Sequence, residues 1–316
     1  MIAFGPVPSR RLGRSLGVNN VPFKSCTYSC VYCQLGRTQA TEFERREFFE
    51  PGEVLRDVEK RISETRKAGE PPIDFVTFVP DGEPTLDINL GREIDLLKPL
   101  GIKIAVITNS SLIWREDVRD ELKKADWVSL KIDSTREEIW RRINRPDKSL
   151  RLKAVMEGII AFSQNFKGEL TTETMMVKGI NDSEENMREV SDFIAMVNPS
   201  MAYIAVPTRP PSESWVRPPD EQALNLCFQV FSGKLPGVEY LIGYEGDAFA
   251  CSGDVEEDIL GITAVHPMRE DAIRSLLAKA NAGWPVVERM MEQGELVETE
   301  YRGEKFYIRK HSISDD

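Results

Sequence analysis

Three of the chain's five cysteines, Cys26, Cys30 and Cys33, fall within eight residues in the segment SCTYSCVYCQLG, a C-x3-C-x2-C spacing. Thiolates are soft ligands, and three on one short segment suit a metal or a cluster. The spacing i, i+4, i+7 also describes one face of a helix, so a buried cysteine stripe is an alternative. Serine and threonine surround the thiols, Pro22 precedes them and Gly36 follows, which favours a loop. Structural zinc wants four ligands, commonly drawn from two separated pairs. Cys227 and Cys251 lie far along the chain, and the two histidines, His266 and His311, lie near its end. Three thiolates can instead hold three corners of an iron–sulfur cube and leave the fourth iron open. An open metal position is a place for chemistry.

The segment resembles the radical S-adenosylmethionine (radical SAM) superfamily, whose hallmark C-x3-C-x-aromatic-C is met by Cys26, Cys30, Tyr32 and Cys33. The resemblance implies a 4Fe-4S cluster on the three cysteines, S-adenosyl-L-methionine as second cofactor, and Tyr32 beside the adenine. Directly after the apolar run IDFVTFV comes Pro80-Asp81-Gly82-Glu83-Pro84-Thr85. It is similar to the family's G-G-E-P motif, which binds the methionine ammonium, so Gly82, Glu83 and Pro84 are expected there, with Asp81 replacing the first glycine. The next two strands end in Thr108-Asn109-Ser110 and Ser129-Leu130-Lys131-Ile132-Asp133. Polar groups at such ends contact the cofactor ribose and carboxylate in the family, which points to Asn109, Ser129 and Lys131. Asn109 could equally cap a turn, and Lys131 could pair with Asp133. Arg142 and Arg145 are weaker candidates nearby.

By the same resemblance Val177 and Gly179, in the run Val177-Lys178-Gly179-Ile180-Asn181-Asp182, pack on adenine. The alternative is a plain strand end with Asn181 or Asp182 starting the next helix. The stretch GPVPSRRLGRSLGVNNVPFKSCTYSCVYCQLGRT, with TMMVKGIND and PTRPP, resembles the wyosine-synthetase-like iron-sulfur oxidoreductase subgroup. Pyruvate-condensing members of that subgroup carry a second cluster on cysteines further upstream. Here 25 residues precede Cys26, so pyruvate chemistry is not expected.

Arg209 is the candidate for holding a substrate anion, and with Lys131 it is a candidate catalytic residue. The first forty residues hold Arg10, Arg11, Arg14, Lys24 and Arg37 and no acid. They form either a solvated basic face or a cationic rim over a barrel mouth that suits a phosphate or carboxylate. The implied partners are an electron donor such as flavodoxin or ferredoxin and a substrate drawn from RNA, peptides or small anionic metabolites.

These residues need a scaffold that gathers strand ends. Short β-branched runs alternate with amphipathic stretches, the signature of βα units around a parallel sheet. Strands are expected at 15–19, 73–79, 102–107, 127–132, 170–177 and 201–206, and helices at 51–68, 87–98, 115–124, 135–143, 150–166 and 183–197. No G-x-G-x-x-G follows the first strand, so the expected fold class is α/β, a partial (β/α)6 TIM-like barrel over 1–235. The tract 207–220, with five prolines, reads as a long loop forming a substrate wall. A connecting segment with strands is expected over 236–265, including Val238 to Gly243 and the apolar run Ile259 to Val265. From 266 to 316 the pattern turns to helix, helix and hairpin, with Arg302-Gly303 at the turn, a winged-helix-like order.

In 316 residues, 41 Lys and Arg face 52 Asp and Glu, a net charge of −11, so the whole molecule does not attract polyanions. From His266 onward eight basic and ten acidic residues give −2, too little positive charge for strong phosphate binding. No apolar stretch reaches the roughly 20 residues a membrane helix requires. Prolines occupy the place of a signal-peptide core in MIAFGPVPSRR, and the odd, uneven cysteines argue against a disulfide framework, so a cytoplasmic location is expected. A second class of function is a cluster- or zinc-bearing redox-sensing regulator that binds nucleic acid or protein through its winged-helix end. It predicts metal without cofactor cleavage.

Overall fold

The computed structural model describes residues 2–242, 249 and 254–310. Eight strands form one sheet in sequential order: β1 (Ala3–Ser9), β2 (Gly13–Val18), β3 (Phe75–Phe78), β4 (Lys103–Thr108), β5 (Trp127–Lys131), β6 (Glu169–Met175), β7 (Met201–Ala205) and β8 (Val238–Leu241). β1 pairs antiparallel with β2, and from β2 to β8 every neighbour is parallel. Helices α1 (Pro51–Lys67), α2 (Leu90–Leu97), α3 (Glu116–Leu122), α4 (Glu137–Ile143), α5 (Leu152–Ser163), α6 (Glu184–Val197) and α7 (Glu221–Ser232) link the strands. Their apolar stripes meet the outer face of the sheet. In α1, for example, Val54, Val58 and Ile62 are among the buried side chains, one apolar face at helical spacing.

The sheet must curl. Seven strands lying flat about 4.8 Å apart would span about 29 Å between the axes of β2 and β8. Yet a single cavity of about 330 Å³ touches the chain after β2, the chain just after β3, and residues of every strand from β4 to β8. The result is the expected α/β partial barrel, with two additions. β8, inside the 236–265 segment expected to carry strands, continues the parallel sheet as a seventh parallel strand. β1 was not expected, because Pro6 and Pro8 break the usual strand pattern; it is an edge strand, where proline is tolerated, and its ladder is interrupted between Phe4 and Val7.

The C-terminal portion contains α8 (Val255–Val265), β9 (Met268–Arg269), α9 (Glu270–Lys279), α10 (Pro285–Glu292), β10 (Leu296–Tyr301) and β11 (Glu304–Arg309). The apolar run Ile259 to Val265 is therefore helix rather than strand, capped by the Asp254 carboxylate on the backbone N–H of Glu257. Ile259 and Ile262 share an apolar cluster with Ile273, Leu276, Met290 and Tyr307, so α8 belongs with the elements that follow 266. The β10–β11 turn sits on Arg302 (φ 55°) and Gly303 (φ 79°), the twist a tight hairpin requires. Helix, helix and hairpin are thus present, preceded by α8 and β9. Element order is all the structure adds to the winged-helix expectation.

This portion packs on the barrel: Val7 of β1 joins the same apolar cluster. Buried Arg61 of α1 meets buried Asp258 of α8 at 2.9 Å. Among the described residues no helix is long and apolar enough to cross a membrane.

Candidate active site

The long connection between β2 and α1 carries the cysteines and is pinned by backbone hydrogen bonds rather than by regular structure. Val31 N donates to Ile143 O at 2.9 Å, Ser29 N to Asn144 O at 3.1 Å and Glu42 N to Cys26 O at 3.0 Å. Cys33 N donates to Cys30 O at 3.1 Å, closing the turn between the last two thiols. This is a loop anchored on the C-terminal end of α4, not a helical stripe. All three cysteines line the cavity. Burial pushes the Cys26 thiol well up and Cys30 up to about 12, so the protein alone holds neutral thiols that a bound metal would take as thiolates.

Gly82 packs this loop against the end of β3. A Cβ on it would lie 1.9 Å from the Ser25 carbonyl oxygen, and Glu83 N donates to that same oxygen at 2.9 Å. Only glycine permits that approach. Glu83 is then consumed by the scaffold. Its Oε1 accepts from Thr85 N (3.1 Å), Thr85 Oγ1 (2.6 Å) and Thr108 Oγ1 (2.6 Å), and its Oε2 accepts from Asn109 N (2.7 Å). Burial pushes the carboxyl up while these donors pull it down, and burial dominates. Glu83 therefore stitches the β3 end to the β4 end while its residue lines the cavity. Pro84 starts a short 3-10 turn behind the wall; its carbonyl accepts from Asn20 Nδ2 at 3.2 Å, and it does not line the cavity.

Asp81, the departure from the glycine pattern, is locked by Asn19, which donates Nδ2 to Asp81 Oδ2 at 2.8 Å and accepts from Asp81 N at 2.9 Å. Burial raises Asp81 to about 7, and its Oδ1 has no donor among the described residues. Asn109 lines the cavity, yet its amide is engaged: Nδ2 donates to Thr27 Oγ1 at 2.8 Å and reaches Cys26 Sγ at 3.6 Å, and Oδ1 accepts from Ser111 N at 2.9 Å. Turn capping, offered above as the alternative, is present together with a contact to the cysteine loop.

Lys131 pairs with Glu173 rather than with Asp133, the partner offered above as an alternative. Lys131 Nζ donates to Glu173 Oε1, and Arg11 Nη1 donates to Glu173 Oε2. Burial opposes ionisation of Glu173, but Lys131 and Arg11 hold it down to about 2; the same pair keeps Lys131 charged against its own burial. Asp133 instead accepts from Tyr32 OH, from Asn144 Nδ2 at 2.7 Å and from Met175 N at 2.8 Å. The Tyr32 ring also faces Lys131, whose Nζ is 5.4 Å from its centroid. Tyr32, Lys131 and Glu173 all line the cavity.

Besides Pro84, three expected residues are not among those lining the cavity. Ser129 precedes Lys131 by two on the same face of β5, one layer deeper. Val177 is buried with Val31, Ile143 and Val216 beside Tyr32, and Gly179 (φ 73°) is exposed at a turn where its N–H meets Asp182 Oδ1 at 2.8 Å. Neither Asn181 nor Asp182 caps the next helix. Ser183 does, and buried Asn181 ties Val177 N, Asp133 O and Met175 O together. Arg145 pairs with Glu213, as Arg37 does, and neither Arg142 nor Arg145 lines the cavity.

Arg209 lines the cavity from the loop after β7, with Nη1 3.3 Å from Gln34 Oε1 and Nη2 2.7 Å from His266 Nε2. Burial, reinforced by Arg209, pushes His266 well below its ordinary value, so the imidazole is neutral and can accept. Cys227 is buried beside Met176 in the helix–sheet core, whereas Cys251 and His311 fall outside the described residues.

Of the five basic residues among the first forty, Arg10, Arg11 and Lys24 line the cavity, whereas Arg14 and Arg37 do not. The β1–β2 tip closes the opposite end of the barrel: Leu12 packs with Ala105, Trp127 and Tyr203 near the starts of their strands, and Arg10 and Arg11 enter the cavity from that side. Arg11 lies 5.9 Å from the Trp127 ring and 5.8 Å from the Tyr203 ring, and Arg14 pairs outside with Glu70 at 3.2 Å. Arg11, Glu173, Asn144 and Asp133 were thus missed in their actual roles. Only Glu173 carried a signal, a charge inside a β-branched run destined for a buried parallel strand.

The donor set fits an iron–sulfur cube better than one ion. Among the described residues no three His, Cys, Asp or Glu side chains converge to hold a single metal ion. The three thiols nevertheless share one cavity, and a cube presents a separate iron to each thiolate. The same cavity has room beside the cysteines for a small molecule, with Asp81, Asn109 and Lys131 on its walls.

The family model for the radical SAM superfamily matches residues 20–190. UPF0026 protein MJ1312 of Methanocaldococcus jannaschii is 49% identical over 317 residues, covering 99% of this chain and 98% of that relative. A solved radical SAM methyltransferase from Sphaerobacter thermophilus superposes with a TM-score of 0.56 at 16% identity, over 75% of this chain and 70% of that one. A structure of TYW1 with a lysine-pyruvate adduct bound gives 0.53 at 16% identity, over 70% and 74%. At that identity the two structures speak to fold alone. Because the matched region takes in the cysteine loop, the Gly82-Glu83-Pro84 turn and strands β3 to β6, the chain belongs to the radical SAM superfamily.

Proposed function

We propose that the protein is a radical SAM enzyme in which Cys26, Cys30 and Cys33 hold a 4Fe-4S cluster beside S-adenosyl-L-methionine. Bound together, these two groups supply a one-electron reductive cleavage that yields methionine and a 5′-deoxyadenosyl radical, an abstractor of hydrogen from substrate. The observation that carries this reading is the meeting of three thiols, the Gly82-Glu83 turn and residues at or just after the ends of six parallel strands, β3 to β8, in one cavity of about 330 Å³.

The chain's own residues orient and enclose. Glu83 fixes the β3 and β4 ends against each other, leaving main-chain carbonyls of that turn to meet an ammonium. Lys131, kept charged by Glu173, is placed for a carboxylate, and Tyr32, fixed through Asp133, offers a ring face. Ser129, Val177 and Gly179 are proposed only as support behind that wall. Arg209, within the proline-rich loop 207–220, is the residue for a substrate anion. Tyr301 of the C-terminal portion donates to Pro207 O at 3.2 Å and holds the start of that loop. Flavodoxin or ferredoxin would deliver the electron. The substrate is an RNA, a peptide or a small anionic metabolite.

The test is anaerobic reconstitution with iron and sulfide, followed by dithionite and S-adenosyl-L-methionine. Release of 5′-deoxyadenosine by the native chain and none by Cys30→Ala is the expected result. No release from a fully loaded protein, beside a competent control enzyme, would reject the reading. A redox-sensing regulator would keep its cluster and leave the cofactor intact.

A further inference from the structure

Each cysteine sulfur faces an N–H donor of its own, and the three donors come from three different segments. Asn109, after β4, reaches Cys26 Sγ at 3.6 Å; Asn144, at the end of α4, reaches Cys30 Sγ at 3.5 Å; Lys24 reaches Cys33 Sγ at 3.2 Å. The first two are neutral amides. The third is an ammonium, and it makes the shortest of the three contacts.

Lys24 is also held at both ends. Its backbone adopts the left-handed region (φ 65°), uncommon for a side chain of its size, and its N–H donates to Asp81 O at 3.0 Å. Its Nζ donates to Gly36 O as well as to the sulfur, so the ammonium is fixed on the turn that carries Cys33. A lysine serving only as surface charge would not be constrained in this way.

We infer that Lys24 is a positioning residue that sets the reduction potential of the cluster through the Cys33 sulfur. The inference rests on the cluster proposed above. Adding one electron to a cube held by three thiolates makes the site one unit more negative. A cation donating to one of those sulfurs therefore favours the reduced form over the oxidised one, and hydrogen bonds to ligand sulfurs act in the same direction. Without Lys24 the cluster is harder to reduce, and the donor partner must be correspondingly stronger.

The experiment compares native protein with Lys24→Met, Lys24→Gln and Lys24→Arg, each reconstituted and assayed for iron and sulfide per chain. Each is then titrated with dithionite while the reduced cluster is followed by electron paramagnetic resonance. At a fixed solution potential Lys24→Met is expected to show about a tenfold lower reduced-to-oxidised ratio, equivalent to about 59 mV for a one-electron couple. Lys24→Gln, which keeps a donor without the charge, falls between it and the native protein, and Lys24→Arg stays near native. A ratio for Lys24→Met within twofold of native overturns the inference. So does loss of the cluster in both Lys24→Met and Lys24→Gln, which would make Lys24 a residue that holds the loop. Absence of any cluster in the native protein would instead overturn the functional reading beneath it.

Discussion

Gly82 and Glu83 show how a short motif acts through contacts that its letters do not reveal. Gly82→Ala forces a methyl group against the Ser25 carbonyl, a backbone atom that cannot swing aside. We expect a loss of about 1–3 kcal/mol, and a melting temperature lower by several degrees in a thermal scan. The cysteine loop should also retain less iron on reconstitution. Glu83→Ala leaves four donors facing an emptied space. Calorimetry should then show S-adenosyl-L-methionine binding weakened at least tenfold, because both the β3 and β4 ends lose their common anchor. The cysteine triplet was legible from residue type and spacing, and Gly82 from the resemblance to the family's motif. That Glu83 is spent on two threonine hydroxyls and two backbone amides was not, since hydrogen-bond partners 25 residues apart leave no local periodicity.

The strand β6 and the β1–β2 tip together build the far end of the cavity. Glu173 joins Lys131 from β5 to Arg11 from the tip, and all three are largely buried. Glu173→Gln leaves two buried cations short of a counter-charge, a change that costs about 3–5 kcal/mol in comparable pairs. The sign with pH follows from the depressed acid. Glu173 titrates near 2 in the folded chain against the ordinary value of 4.5, so its contribution is present above pH 4.5. It fades as pH falls towards 2. Denaturant melts at successive pH values should show native protein and Glu173→Gln separated at neutral pH and converging below about pH 4. Strand and helix positions were readable because each buried parallel strand is a short β-branched run and each helix shows one apolar face. β1 escaped because its two prolines mimic a loop, and α8 because Ile259, Ile262 and Val265 look like strand until Asp254 is seen as a cap.

The C-terminal portion touches the barrel through polar contacts. Arg61 of α1 meets Asp258 of α8, Tyr301 holds Pro207, and His266 accepts from Arg209. Asp258→Ala should lower the melting temperature, because a buried guanidinium loses a partner 2.9 Å away. Hydrogen exchange should quicken in residues 254–310 while β3 to β6 keep their protection. His266→Phe removes the acceptor for Arg209. If Arg209 binds a substrate anion, the variant should load iron normally and cleave S-adenosyl-L-methionine without substrate at the native rate. Tritium or deuterium transfer to substrate should then be slowed.

Ligand type, spacing and side-chain period, properties of neighbouring residues, pointed to the three-thiol loop, six parallel strands and the partial barrel, and the family resemblance pointed to the Gly82-Glu83 turn. Whether a polar side chain is free for a ligand or already bound is a property of distant ones. Lys131 meets Glu173 rather than Asp133, Asn109 reaches the cysteine loop, and Arg11 enters from the far end only because the curled sheet brings β2, β4, β5 and β6 around one space. Curvature and long-range pairing arise from packing of the whole sheet against its helices, and no window of the chain contains that information.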